Sequence, residues 1–247
     1  MSTFSWPGTA AAAISLTFDD GAPTHLSEAL PRLEAAGLRG TFYLNPGRRP
    51  DWGTQVERWK QAALEGHELG NHTSRHPFSC NFHFDDGFCL ERLTLQDMAQ
   101  TIDEAEVGLD EISPQHKGHR TFCYPCYQSD VGRGLTRQSY IPLVAERFRA
   151  ARGWGERPND PTVADLWYLG SWAVEGNSGQ ELIDYAESAI EQGRWAVFCF
   201  HGVGGDHIAI DAQAFQMLLD HLSASSDRLW TAPLVDVADH VMANRTD

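Results

Sequence analysis

Short apolar runs alternate with longer amphipathic stretches along almost the whole chain, and this alternation limits the fold more than any other feature. Residues 11–18, 40–44, 67–70, 121–124, 149–153, 167–169, 195–200 and 229–231 read as strands. Residues 27–36, 52–65, 94–112, 136–148, 178–192, 211–223 and 233–243 read as helices. In 94–112, for example, Leu95, Met98, Ile102 and Ala105 recur at helical spacing. Pro31 falls inside 27–36, so that helix starts late or kinks. Strands that alternate with helices imply crossover connections and a parallel sheet. Seven or eight such units fit an α/β chain closed as a (β/α) barrel. With no internal repeat and no low-complexity linker, residues 1–247 read as a single domain. In a barrel of this kind, reactive groups gather where strands end and loops begin.

Charge narrows the partners. The chain has 19 basic and 34 acidic side chains, a net charge of -15, and its only lysines are Lys60 and Lys117. Phosphate backbones and anionic membrane surfaces need clustered basic residues, so neither nucleic acid nor membrane is expected as a partner. The apolar run 10–16 lacks a basic segment before it and a cleavage-type segment after it, so it reads as the first buried strand and the chain as cytoplasmic. Five cysteines, an odd number, suit a reducing compartment. A Cys80–Cys89 link is the pairing expected if the surroundings are oxidising. Cys123 and Cys126 form a CxxC with no second pair, short of the four ligands of a structural zinc.

Three segments at strand ends carry chemistry. Asp19-Asp20-Gly21 follows the first apolar run, and two adjacent carboxylates repel each other unless a cation relieves them. His72-Thr-Ser-Arg-His76 has the i, i+4 spacing that puts two imidazoles on one face of a helical turn, and imidazole suits borderline divalent metals. Two histidines and one aspartate leave positions open for water, the pattern of a catalytic metal. Phe198-Cys199-Phe200-His201-Gly202 ends a hydrophobic strand in a histidine able to act as general acid or base. Asp206 and His207, in the loop that follows, read as rim residues. Asp85-Asp86-Gly87 repeats the first tripeptide without a preceding strand and reads as a surface loop or lid, with His83 nearby.

In this order the segments resemble the NodB-homology polysaccharide deacetylases, the group called carbohydrate esterase family 4, from residue 14 to about 208. The resemblance implies a distorted (β/α) barrel of seven units and one divalent metal ion, zinc first, with cobalt, nickel or manganese as alternatives. It implies that Asp19 is the catalytic base, that Asp20, His72 and His76 hold the metal, and that His201 is the general acid. It places Cys199 at the acetyl pocket and the Cys126 backbone N–H at the oxyanion, with Tyr124 beside it and Trp172 as a pocket wall.

The chain departs from the family pattern at Cys123, where an arginine that orients the base is expected. Arg120 and Arg152 are the candidate replacements. Glu175 and Asp165 are candidate acidic partners for His201. The implied activity is removal of acetyl groups from a small N-acetylated sugar or short oligomer, such as N-acetylglucosamine or a chitooligosaccharide. An allantoinase-like ring-amide hydrolase and a catalytically degenerate carbohydrate-binding protein are the alternatives. Oligomeric state leaves no signal in the sequence.

Overall fold

The computed structural model describes residues 4–82 and 88–246. Its strands and helices are β1 (Ala12–Asp19), α1 (Leu30–Ala35), β2 (Thr41–Leu44), α2 (Trp52–Leu64), β3 (Glu68–Asn71), α3 (Leu95–Ile112), β4 (Phe122–Cys123), β5 (Asp130–Val131), β6 (Gln138–Ser139), α4 (Ile141–Ala145), β7 (Ala151–Arg152), β8 (Trp172–Ala173), α5 (Gly179–Gln192), β9 (Trp195–Phe200), α6 (Ala212–Ala224), β10 (Leu229–Thr231) and α7 (Leu234–Asn244).

One curled sheet runs in the order β7-β4-β3-β2-β1-β9-β8, with every pairing parallel. The curl comes back on itself: Leu169, just before β8, bridges Arg152 of β7. The strand at the centre, β1, is buried along its whole length. Its upper half pairs with β2 (Thr17 opposite Thr41) and its lower half with β10 (Ala12 opposite Leu229), so two strands share one edge. Strand alternation then divides its side chains. Ala12, Ile14, Leu16 and Phe18 pack outward in the main core with residues of α1, α2, α5 and α6. Ala13 packs in a second core with α7, and Thr17 and Asp19 turn to the same, inner face of the curl.

The helices start where local chemistry satisfies their first N–H groups. Capping boxes open α3 (Thr94 with Asp97) and α5 (Ser178 with Glu181). Two elements differ from the sequence expectation. Pro31 cannot donate to the residue four before it, and the chain answers with a wide π-turn over His25–Ala29 before α1 begins. The helix expected over 136–148 shrinks to α4, because Gln138–Ser139 pairs antiparallel with Asp130–Val131 and Pro142 fixes the helix start beyond it. The strand expected over 167–169 is reduced to the single bridge at Leu169.

A buried carboxylate ties the lower part of the curl together. Glu68 accepts from Thr41 Oγ1 (2.8 Å), from the Thr121 N–H (2.8 Å) and hydroxyl (2.7 Å), and from the Val235 N–H (3.1 Å), joining β2, β3, the start of β4 and α7. Among the described residues no helix is long and apolar enough to cross a membrane.

Candidate metal and catalytic site

Because all the strands of the curl are parallel, their C-terminal ends form one rim. Asp19 ends β1, Cys123 ends β4 and Arg152 ends β7, while His72 and His201 come directly after β3 and β9. Residues up to 182 positions apart therefore meet.

Asp19 is 3 % exposed. The Arg152 guanidinium contacts both of its oxygens, and the thiols of Cys123 and Cys199 each lie 3.5 Å from its Oδ2. Burial by itself would raise the Asp19 carboxyl, but Arg152, His72 and His201 together hold it well below the usual carboxylate range. Burial pushes Cys199 up to about 12 and Cys123 well above its ordinary value, so both sulfurs remain thiols that donate toward Asp19. Arg152 is fully buried, donates to Ser171 Oγ (2.9 Å) and Cys123 Sγ (2.8 Å), and sits over the Tyr43 ring. Gly70 makes room for that ring, since a Cβ there would lie 2.5 Å from a Tyr43 carbon.

Asp20 takes a left-handed backbone (φ 72), and its carboxylate lies beside the histidines. Its Oδ1 lies 3.4 Å from His76 Nε2 and 3.7 Å from His72 Nε2. The two imidazoles do not share a helical turn, contrary to what their spacing suggests. Thr73 (φ 63) and His76 (φ 49) are left-handed, and the turn is pinned by side chains. Asn45 Nδ2 donates to the carbonyls of His72 and Thr73, Asn71 Oδ1 accepts the Thr73 N–H, and Thr73 Oγ1 accepts the His76 N–H. The rings still meet edge-on, with centroids 4.7 Å apart.

His72 Nδ1 donates to the Cys123 carbonyl (2.9 Å), which fixes the tautomer and leaves the Nε2 lone pair facing Asp20. Burial lowers both imidazoles, His76 to about 3, so both are neutral near pH 7. Burial would raise Asp20, yet the hydrogen bond from His207 and the neighbouring His76 and His72 hold it well below its ordinary value. Among the described residues, the buried Asp20 Oδ1 has no hydrogen-bond partner. A buried carboxylate oxygen without a partner, facing two neutral imidazole nitrogens, fits the donor set of a borderline divalent cation. Arg48 Nη1, 3.9 Å from the same oxygen, is the nearby positive group, and its side chain is 40 % exposed.

His201 Nε2 lies 4.0 Å from Asp19 Oδ2, so the two flank one space. Its backbone carbonyl accepts from His25 Nε2, and its buried Nδ1 has no partner among the described residues. Neither Glu175 nor Asp165 supplies one. The Glu175 N–H bonds Asn177 and the Asp165 carboxylate bonds the Trp167 N–H, each a local turn contact.

Three further expectations are corrected. Arg120 does not reach Asp19: it precedes β4 and spends its guanidinium on Glu106 (3.1 Å), Asp110 (2.7 Å) and the Ser113 carbonyl (2.8 Å), and the arginine in contact with Asp19 is Arg152. Tyr124 is a core residue whose hydroxyl donates to the Trp167 carbonyl and whose ring packs against Phe122 and Tyr140. Trp172 pairs with Phe198, not Cys199, so it turns to the helix layer and lies 4.9 Å from the Tyr185 ring.

Cys126, which follows β4 by three residues, is exposed and left-handed at φ 49. Tyr127 escapes the sequence reading, and His207, read there as a rim residue, comes into contact with Asp20. Tyr127, also left-handed at φ 60, brings its hydroxyl 3.3 Å from Cys199 Sγ. His207 Nε2 lies 3.3 Å from Asp20 Oδ2. The signal for His207 was its place in the loop after β9, the same rim that carries His201.

Cys80 and Cys89 form a disulfide, the pairing that oxidising surroundings would allow. Ser79 and Cys80 donate to Glu91, and the Ser79 N–H donates to Gln128, so the linked segment leans on the loop after β4. His83 and Asp85-Asp86-Gly87 lie outside the described residues.

Comparison with known proteins agrees with this geometry. A chitin deacetylase from Pestalotiopsis sp is 40% identical over 65 residues, 25% of this chain and 21% of that protein. A peptidoglycan-N-acetylglucosamine deacetylase from Bacillus cereus is 37% identical over 73 residues, 28% of this chain and 31% of that protein. The matched stretches thus span a fifth to a third of those relatives. A structure from Mycobacterium smegmatis that carries the polysaccharide deacetylase name superposes with a TM-score of 0.69 at 17% identity, covering 100% of this chain and 97% of its own. A family 4 acetyl xylan esterase from Clostridium thermocellum, solved with a cobalt ion, gives 0.57 at 15% identity, covering 91% and 89%. At these identities the structures share the fold. The profile of the polysaccharide deacetylase family itself matches residues 7–134, more than half of the sequence, and reaches from β1 past β4. A curled parallel sheet with Asp19-Asp20 at one strand end and His72 and His76 after another is what that match covers, and the chain belongs to the polysaccharide deacetylase family.

Proposed function

We propose that this chain is a metal-dependent deacetylase that removes acetyl groups from N-acetylated sugars, with short N-acetylglucosamine oligomers as the substrate class. The observation that carries this reading is the meeting of Asp19, Asp20, His72, His76 and His201 at one rim, with the two carboxylates held in different surroundings. Asp20 Oδ1 faces two neutral imidazoles, while Asp19 is clamped by Arg152. One carboxylate is thus free to hold an ion and the other to handle a proton.

Asp20, His72 and His76 would hold the ion. When bound there, a divalent ion supplies Lewis acidity that polarises an acyl carbonyl and brings water within reach of deprotonation near neutral pH. The remaining steps belong to the chain. Asp19 Oδ2 accepts the proton of the attacking water. Arg152 and the two thiols keep that carboxylate ionised and fixed in direction. His201 Nε2, 4.0 Å from Asp19 Oδ2, delivers a proton to the departing nitrogen. The backbone N–H of Cys126 donates to the acyl oxygen as negative charge develops, a type of contact worth about 3–4 kcal/mol in the transition state.

The test is acetate release from N-acetylglucosamine and its di- to hexamers. Dialysis against a chelator is expected to abolish release and added zinc to restore it. Undiminished release after chelation, with ion loss confirmed by metal analysis, contradicts the reading.

His201→Ala separates the acid role from the rest of the site. An amine is a poor leaving group without a proton, whereas an activated acetate ester leaves as an anion. The variant is expected to lose roughly 100-fold or more on acetamide substrates and far less on 4-nitrophenyl acetate. Equal losses on both would remove His201 from the acid role.

A further inference from the structure

Asp20 is approached from two sides. Its Oδ1 faces His72 and His76, while its Oδ2 faces His207 Nε2 at 3.3 Å. His207 packs edge-on against His201, with ring centroids 5.5 Å apart. One ligand atom from each of Asp20, His201 and His207 lies within 4.8 Å of the other two, the same closeness that unites Asp20, His72 and His76. The Asp20 carboxylate therefore lies within reach of two pairs of imidazoles, His72 with His76 and His201 with His207, and an ionised carboxylate has lone pairs enough to serve both.

The second group is built into the fold. His207 sits between Asp206 (φ 65) and Ile208 (φ 47), both left-handed. Asp206 Oδ2 accepts the Thr24 N–H (3.0 Å), and Thr24 Oγ1 accepts the Val203 N–H (3.2 Å), which anchors the loop beside the Asp20 turn. The Gly202 N–H bonds the His207 carbonyl (3.1 Å), and a Cβ at Gly202 would lie 1.9 Å from the Gly205 carbonyl oxygen, so the loop can close this tightly only with glycine there. The His207 side chain is 53% exposed, which leaves a path for an ion from solvent. The net charge of -15 favours cations near the surface. Arg152 is committed to Asp19, and Arg48 approaches Asp20 on its Oδ1 side, away from this group.

We infer that Asp20 Oδ2, His201 and His207 form a second divalent-cation site, adjacent to the Asp20–His72–His76 group and open to solvent. An imidazole, imidazole, carboxylate set suits zinc or another borderline divalent ion. An ion held there occupies the imidazole that otherwise carries the proton for the leaving nitrogen. Excess zinc should therefore inhibit the deacetylation it supports at low concentration. That consequence rests on the proposed function, whereas the ion count does not.

The test is titration of the metal-stripped full chain with zinc alone, read by calorimetry and by metal analysis after gel filtration, without substrate. Wild type should take up two equivalents, the second roughly tenfold or more weaker than the first, and His207→Ala and His207→Gln should each take up one. A single equivalent in wild type up to about millimolar zinc overturns the inference, and that result needs no variant. A second equivalent retained in both variants overturns it as well. In parallel, acetate release by wild type should rise with the first equivalent and fall with the second, and the fall should vanish in the His207 variants. Release from no substrate would count against the proposed function, while the ion count would still decide the second site.

Discussion

Arg152→Ala is expected to lower the melting temperature by roughly 6–20 °C and to cost most of the activity. The pair it breaks is fully enclosed, with the Arg152 side chain at 0% and the Asp19 side chain at 4% exposure. Removing one member of a buried ion pair typically costs about 3–5 kcal/mol, because the other charge stays behind without compensation. For a chain of this size each kcal/mol shifts the midpoint by about 2–4 °C. The two thiols that remain near Asp19 are weak donors at 3.5 Å. Arg152→Lys should recover only part of the loss, since an ammonium cannot reproduce a planar guanidinium that meets Asp19, Ser171 and Cys123 together. Thermal unfolding followed by circular dichroism measures the first effect, and acetate release the second. A variant as stable and as active as wild type would show that Arg152 does not orient Asp19.

Asp19→Asn is expected to lower kcat for acetate release by about 10²–10⁴, the range typical of a lost general base, while the protein still binds zinc at Asp20, His72 and His76. Asparagine keeps the shape and one acceptor but cannot take a proton from water. It also leaves Arg152 buried without its anion, so the variant should be less stable than wild type. The double variant Asp19→Asn, Arg152→Met removes both charges. It is expected to regain much of the stability and none of the activity, which separates the structural share of the pair from the chemical one. Near wild-type turnover by Asp19→Asn, with zinc bound, would assign the base elsewhere.

Much of the site was legible because the rule behind it is topological. In a parallel curl, polar residues directly after apolar runs converge, and Asp19, Asp20, His72 and His201 all stand at such places. The misreadings come from facing and register, which composition does not carry. Arg120 and Arg152 look equivalent in sequence, yet one precedes its strand and the other ends its strand, so only Arg152 reaches the rim. Trp172 and Ala173 differ by one step of a period-two strand, and that step decides which faces Cys199 and which faces α5. The i, i+4 spacing of His72 and His76 gave the right pairing for the wrong reason, because side chains of Asn45, Asn71 and Thr73 build a left-handed turn in place of a helix. Tyr127 and His207 owe their positions to left-handed backbone in or beside them, which non-glycine residues adopt only when the surroundings hold them there.

On the proposed function, Asp20, His72 and His76 hold a single ion next to a carboxylate left free for proton transfer. Anomalous diffraction at the zinc edge, from crystals grown with one equivalent of zinc, tests it most directly. One peak is expected, bounded by Asp20 Oδ1, His72 Nε2 and His76 Nε2, with Asp19 still paired to Arg152. A peak elsewhere, or none in protein that releases acetate from N-acetylglucosamine oligomers, would contradict it.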